Sequence, residues 1–191
     1  MSGWHDRGMT AAPPPAEPDS PSTSAAADRP EDPHLAAAVA DVETFAAGAG
    51  WDRPTQLFAL VATADLIGAE PALAAQLAGD GRWTAVAQDN LPAGDLAAAL
   101  AGIGWPAEVA GAVLVQEIVV LPPSVGPLEE LTPEQAAAHP ERAEARLVAG
   151  VLRDLPGGSC LLRMRSGEYD LIRGADLAPG LLGALAETFA D

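Results

Sequence analysis

From residue 33 onward the apolar positions recur in two rhythms, one helical and one alternating, separated by short clusters of Gly, Pro and Asp. Leu35, Val39, Val42 and Phe45 fall three or four residues apart, the spacing of one helical face. Asp32 and Pro33 precede them as an acidic N-cap and a proline at the first helical position, and Gly48-Ala49-Gly50 closes the run, so a helix is predicted there. Pro54 then fixes the approach to a buried strand over Leu57 to Thr63. "GAEPALAAQLAGDG" reads as a short helix and "RWTAVAQDNLP" as a short strand ended by Asn90 and Pro92. Leu96, Leu100 and Ile103 lie one helical turn apart before the stop at Gly104-Trp105-Pro106, a helix with a clear end.

The densest strand signal is "GAVLVQEIVVLPP", with β-branched residues at Val113, Val115, Ile118, Val119 and Val120 and a double proline after them. It belongs in the middle of a sheet. Thr132, Pro133 and Gln135 form a capping-box pattern on a short helix that ends before Pro140. Leu147 to Leu152 and Cys160 to Met164 are two strand-like runs around "LPGG", whose proline and glycines offer turn torsions. With a turn at Leu155 to Gly158, position 153 pairs with 160 and 150 with 163. Alternation then puts Cys160, Leu162 and Met164 on one face with Leu147, Ala149 and Val151, and turns Arg146, Arg163 and Arg165 to the other. A final helix from about Asp176 carries Leu177, Leu181, Leu185 and Phe189 at spacing four, with Leu182 beside them.

Strands joined by short turns near the C-terminus, with helices at the start, middle and end, predict an α+β domain over residues 33–191. Its sheet is mostly antiparallel, with a C-terminal hairpin, and is packed by helices on one side, the C-terminal helix among them. A doubly wound parallel fold is the competitor, and the hairpin argues against it. Residues 1–32, rich in Pro, Ala, Ser and acid, have almost nothing to bury and read as a disordered acidic tail.

Charge narrows the function classes. Ten basic residues, all arginine, stand against 27 acidic ones, a net charge of -17. Nucleic acid and anionic membrane surfaces are repelled partners under that balance. No apolar run reaches the length of a membrane span or a secretory signal, and one cysteine, Cys160, permits no internal disulfide, so a cytoplasmic location without membrane insertion is expected. The lysine-free, Ala- and Gly-rich composition reflects GC-rich codon usage.

Motifs that carry chemistry are mostly missing: no phosphate-binding loop, dinucleotide fingerprint, zinc-protease helix or nucleophile elbow occurs. The three histidines, His5, His34 and His139, offer neither a triad nor a metal centre, and no catalytic residue, cofactor or metal site is assigned. Glu129-Glu130 reads as a solvated charge cluster, and Glu117, inside the strongest strand, as an acid on the open side of the sheet. The row of Arg146, Arg163 and Arg165 has two readings. Three guanidinium forks could grip a carboxylate or phosphate, or they could neutralise the chain's own acids, for example across the sheet to Glu117. The second is preferred, because so acidic a chain has many internal partners. Cys160, on the apolar face, reads as a small core residue.

"AGWDRPTQLFALVATADL", "LPAGDLAAALAGIGWPAEVAGAVLVQEIVVLPP", "AAAHPERAEARLVAGVLRD" and "DLAPGLLGALAETF" resemble, in order and spacing, an uncharacterised actinobacterial family named only after a propionibacterial locus tag. The resemblance spans residues 34–191 and implies an actinobacterial cytoplasmic protein. It brings no activity, cofactor or catalytic residue.

Three functions are carried forward. A non-enzymatic interaction domain leads, binding a protein partner through its sheet or through loops bearing Trp51, Trp83 and Trp105, with a homodimer as the other form of partnership. Next comes a small acidic chaperone-like protein for a secreted or aggregation-prone client. Third is an enzyme or ligand-binding domain that uses carboxylates and the Arg146/Arg163/Arg165 row.

Overall fold

The computed structural model describes residues 31–77, 79, 81–89, 91, 94–122, 132–167, 171–175 and 177–190. Glu129-Glu130 and residues 1–30 of the expected tail lie outside the described residues. Helix α1 (Pro33–Gly48) starts as expected: the Asp32 carboxylate accepts from the His34 and Leu35 backbone N–H groups at 2.9 and 2.8 Å. Strand β1 (Gln56–Ala62) passes directly into α2 (Thr63–Ala69), and a single 3₁₀ turn (Pro71–Leu73) follows. The remaining order is β2 (Trp83–Ala87), α3 (Leu96–Ala101), β3 (Val109–Val120), α4 (Pro133–Ala138), β4 (Ala143–Leu152), β5 (Leu155–Met164), β6 (Leu171–Arg173) and α5 (Pro179–Glu187). The fold is α+β: one six-stranded sheet in the order β2-β1-β3-β4-β5-β6, antiparallel at every neighbouring pair. The valine-rich β3 is an inner strand, as its composition requires.

Both faces of the sheet are covered, which corrects the expectation of helices on one side. On one face α1 buries Leu35, Val39 and Val42 against Phe58, Leu60, Val113, Val115, Val148 and Leu161. On the other, α3 and α5 bring Leu100, Leu182 and Leu185 against Leu57, Ala112, Leu114, Ala149, Val151 and Cys160. Cys160 is fully buried there. Of the face expected of helix α1, Leu35, Val39 and Val42 are buried as read, but Phe45 is 60% exposed and Glu43 is buried instead. Glu43 lies four residues after Val39, inside the apolar stripe.

The hairpin forms, with its turn displaced. Leu152 faces Leu155 and Ala149 faces Cys160, so the chain reverses at Arg153-Asp154 and "LPGG" lies within β5. Arg153 anchors the reversal, donating from Nε to the Val109 carbonyl at 3.2 Å and from Nη2 to the Pro106 carbonyl at 2.8 Å. Gly158 serves packing rather than turning: a Cβ there would stand 2.5 Å from Leu182 of α5. The turn lies an even number of register positions from the expected one, so the side-chain faces are unchanged.

Candidate functional site

Glu117 of β3, Arg146 of β4 and Arg163 of β5 stand side by side across three strands, since Glu117 pairs with Arg146 and Arg146 with Arg163. All three lie on the α1 face. Two like charges directly opposed on adjacent strands repel, and the surrounding chain resolves this by giving each arginine its own acceptors.

Arg163 is met from above by α1. Its Nε and Nη2 donate to the two carboxylate oxygens of Glu43, the second at 2.8 Å. This is the planar fork-to-carboxylate geometry that suits arginine. The Glu43 side chain is 4% exposed and that of Arg163 28%. The bonds it donates to Glu43 hold the Arg163 guanidinium even further into its charged range than usual.

Arg146 is closed in by the segment after α1. It is 2% exposed, its Nη2 donates to the Gly50 carbonyl, and the Glu117 carboxylate lies 3.7 Å away. The indole of Trp51 covers it, the ring centroid 4.4 Å from the guanidinium carbon. Two left-handed residues make this covering loop, Gly50 at φ 83° and Asp52 at φ 62°. Glycine takes that conformation freely and aspartate is among the residues that tolerate it. The strain at Asp52 is offset locally: its N–H donates to Glu117 Oε2 at 3.0 Å, and that of Arg53 to Oε1 at 3.2 Å.

Arg165, just past the end of β5, completes the cluster. Its Nη1 and Nη2 each donate to Asp52 at 2.8 Å, and Nη1 also reaches Glu144 at 2.8 Å. Trp51 lies 5.4 Å from its guanidinium carbon as well, so the indole serves both arginines. The hydrogen bonds from Arg165 hold the Asp52 carboxyl below the usual carboxylate range, and those with Asp52 and Glu144 raise Arg165. The row therefore meets Glu43, Asp52, Glu117 and Glu144 of its own chain. Arg163 commits Nε and Nη2 to Glu43, Arg165 commits Nη1 and Nη2 to Asp52 and Glu144, and a ligand would reach Arg146 only if Trp51 and Gly50 moved.

Trp51, Trp83 and Trp105 are all half-buried rather than exposed on loops. Trp83 lies within β2. Trp105 stacks on Phe189 with centroids 5.8 Å apart and donates from Nε1 to Thr188 Oγ1 at 2.8 Å. His139 stands at the end of α4, its Nδ1 accepting from the Glu141 N–H at 3.1 Å.

A second feature escaped the sequence reading. Between α1 and β2 runs a cleft of about 310 Å³, lined chiefly by Val42, Phe45, Phe58, Trp83, Ala85 and Ala87, with Asp41 among its walls. Phe45 stands edge-on to Phe58, centroids 5.9 Å apart, and is the most exposed large apolar side chain described. The signal for it was the position of Phe45, at the margin of the apolar stripe of α1 beside a short strand of small residues. A shallower hollow lined by Arg142, Glu144, Arg165 and Ser166 lies at the arginine end. Among the described residues no group of three or more His, Cys, Asp or Glu could hold a metal ion, and no helix is long and apolar enough to cross a membrane.

The model of the family described as PPA1309-like protein matches residues 35–190. No curated protein and no solved structure matches the chain.

Proposed function

We propose that the chain, which belongs to the PPA1309-like protein family, is a non-enzymatic interaction domain that binds a protein partner. The observation that carries this reading is the cleft between α1 and β2, where Phe45 is 60% exposed above an apolar floor. A large aromatic side chain left in water beside an apolar hollow is an anchor in want of a partner surface. The arginine row supports the same reading from the other side. Its donors are taken up by Glu43, Asp52, Glu144 and the Gly50 carbonyl, so the row works as a brace for the fold.

The test is affinity capture with the full chain and its Phe45→Asp variant from a lysate of the encoding organism. The expected result is a protein retained by the parent and lost by the variant, with the melting temperature unchanged because Phe45 is mostly in solvent. Equal recovery by both forms, or none above background, would remove the basis for the proposal.

A further inference from the structure

We infer that the outer edge of β2 and the cleft beside it receive an extended segment of another protein, one that alternates apolar with basic residues and adds to the sheet as a further strand. This deepens the interaction-domain reading and rests on it. The first observation concerns the backbone. At the two ends of the β1–β2 ladder the Gln88 N–H donates to the Leu57 carbonyl and the Thr63 N–H to the Arg82 carbonyl. Antiparallel strands alternate between residues that face the partner and residues that face away. In this register, Thr84 and Val86 face β1, and Trp83, Ala85 and Ala87 turn their N–H and C=O groups outward. Among the described residues those outward groups meet no hydrogen-bond partner.

The second observation is the contrast between the two edges of the sheet. Exposed edges are commonly blunted by charge, proline or shortness, because an open ladder recruits other chains. The far edge, β6, has three residues and ends in Arg173, whereas β2 has five residues without charge or proline, the nearest cation being Arg82 just before it, stacked over Trp83 at 4.8 Å. The third is the fit of the cleft to such a strand. Trp83, Ala85 and Ala87 line it, and the two alanines leave the space that Phe45 and Phe58 border. A strand laid along β2 would send every second side chain into that space while its backbone completed the ladder.

Charge selects the occupant. The chain carries -17, and Asp41 is part of the cleft wall. A second copy would bring two such charges and two Asp41 side chains together, while a basic segment is drawn in.

The test uses the full, isotope-labelled chain titrated with a short synthetic peptide alternating valine and arginine, and with its counterpart alternating valine and glutamate. The arginine peptide should shift the amide signals of Trp83, Ala85 and Ala87 and slow their hydrogen exchange, and it should bind at least about tenfold more tightly than the glutamate peptide. Ala85→Pro deletes one outward N–H without touching the bonds to β1, and should weaken binding about tenfold or more at unchanged melting temperature. Should that variant unfold, Ala87→Arg fills the cleft instead and should weaken binding alike. Equal affinity for both peptides, or signal changes centred on Trp51 and Arg165, would overturn the inference and leave the interaction reading standing. So would lysate capture that depends on Phe45 when neither peptide binds. A concentration-dependent dimer abolished by Ala85→Pro would assign the edge to a second copy and overturn it as well. Failure of both the peptides and the capture would bring down both readings.

Discussion

Arg163→Met should destabilise the protein far more than Glu43→Gln, although both break the same ion pair. The difference lies in what each change leaves behind. The Glu43 side chain is 4% exposed and that of Arg163 28%. Removing the arginine strands a carboxylate in the core, while neutralising the glutamate leaves a cation that can still reach water. Two unit charges about 4 Å apart at an effective dielectric near 20 attract by about 4 kcal/mol. Breaking a buried pair costs about 3–5 kcal/mol, mostly as the desolvation of the abandoned partner. The open end of Arg163 argues for the lower part of that range, so about 3 kcal/mol is expected for Arg163→Met, against about 1 kcal/mol for Glu43→Gln, close to the worth of an ordinary hydrogen bond. With a urea slope of about 2 kcal/mol per molar, the first should lower the unfolding midpoint by about 1.5 M. The double variant Glu43→Leu with Arg163→Met replaces both charges by apolar groups and should recover most of the loss. Equal costs for the two single changes, or a double variant as unstable as their sum, would refute the account of Glu43 as a core anion held by one fork.

Trp51→Ala removes the ring that faces Arg146 at 4.4 Å and Arg165 at 5.4 Å, and should cost about 1–3 kcal/mol in urea unfolding from two cation–π contacts. Asp52 has a folded-state pKa below its ordinary 3.8 because of its bonds with Arg165; the unfolded chain therefore takes up this proton first as pH falls. Its stabilisation is complete above about pH 4 and is lost in more acid solution, so melting temperatures of the parent and of Asp52→Asn should differ at neutral pH and converge in acid. Gly150→Ala would place a Cβ 2.6 Å from Val39 and 3.2 Å from Val113, and should cost about 1–3 kcal/mol through overpacking between α1 and β4, read by thermal melting.

How much of this was legible beforehand depended on whether a feature was local or tertiary. The capping box at Thr132 and Gln135 was readable from its spacing, and the structure has both bonds, at 3.3 and 2.8 Å. The face shared by Arg146 and Arg163 was readable because strand parity survives a misplaced turn. The turn itself was misread because Gly157 and Gly158 resemble turn residues. Arg153 outcompetes that signal by bonding the carbonyls of Trp105 and Pro106 before β3 and of Val109 at its first residue, contacts more than 40 positions away in the chain. The partners of the row were half legible. Glu117 stands directly opposite Arg146 in the ladder, whereas Glu43 and Asp52 reach Arg163 and Arg165 from the helix and loop above the sheet. No spacing rule within one element reports a contact of that kind.

The arginine brace and the open cleft have a common origin in the width of the sheet. Strands lie about 4.8 Å apart and a helix with its side chains is about 10–12 Å wide, so one helix roofs two or three strands. The face buried by α3 and α5 has two helices to share six strands. The opposite face has α1, which packs chiefly on β4 and β5 and reaches β3 and β2, burying Val39 and Val42 against the sheet. On one flank the shortfall is made up by the Trp51 loop and the arginine row, whose guanidinium groups span the distance to Glu43 and Asp52 and cover the sheet with long polar side chains. On the other flank β2 carries only Ala85 and Ala87 beside Trp83, and the roof stops at Phe45. The acids of the chain thus have a structural use at one side of α1, where they hold the arginines in place. At the other side Asp41 stands in the wall of the open cleft, where the proposed basic strand would meet it.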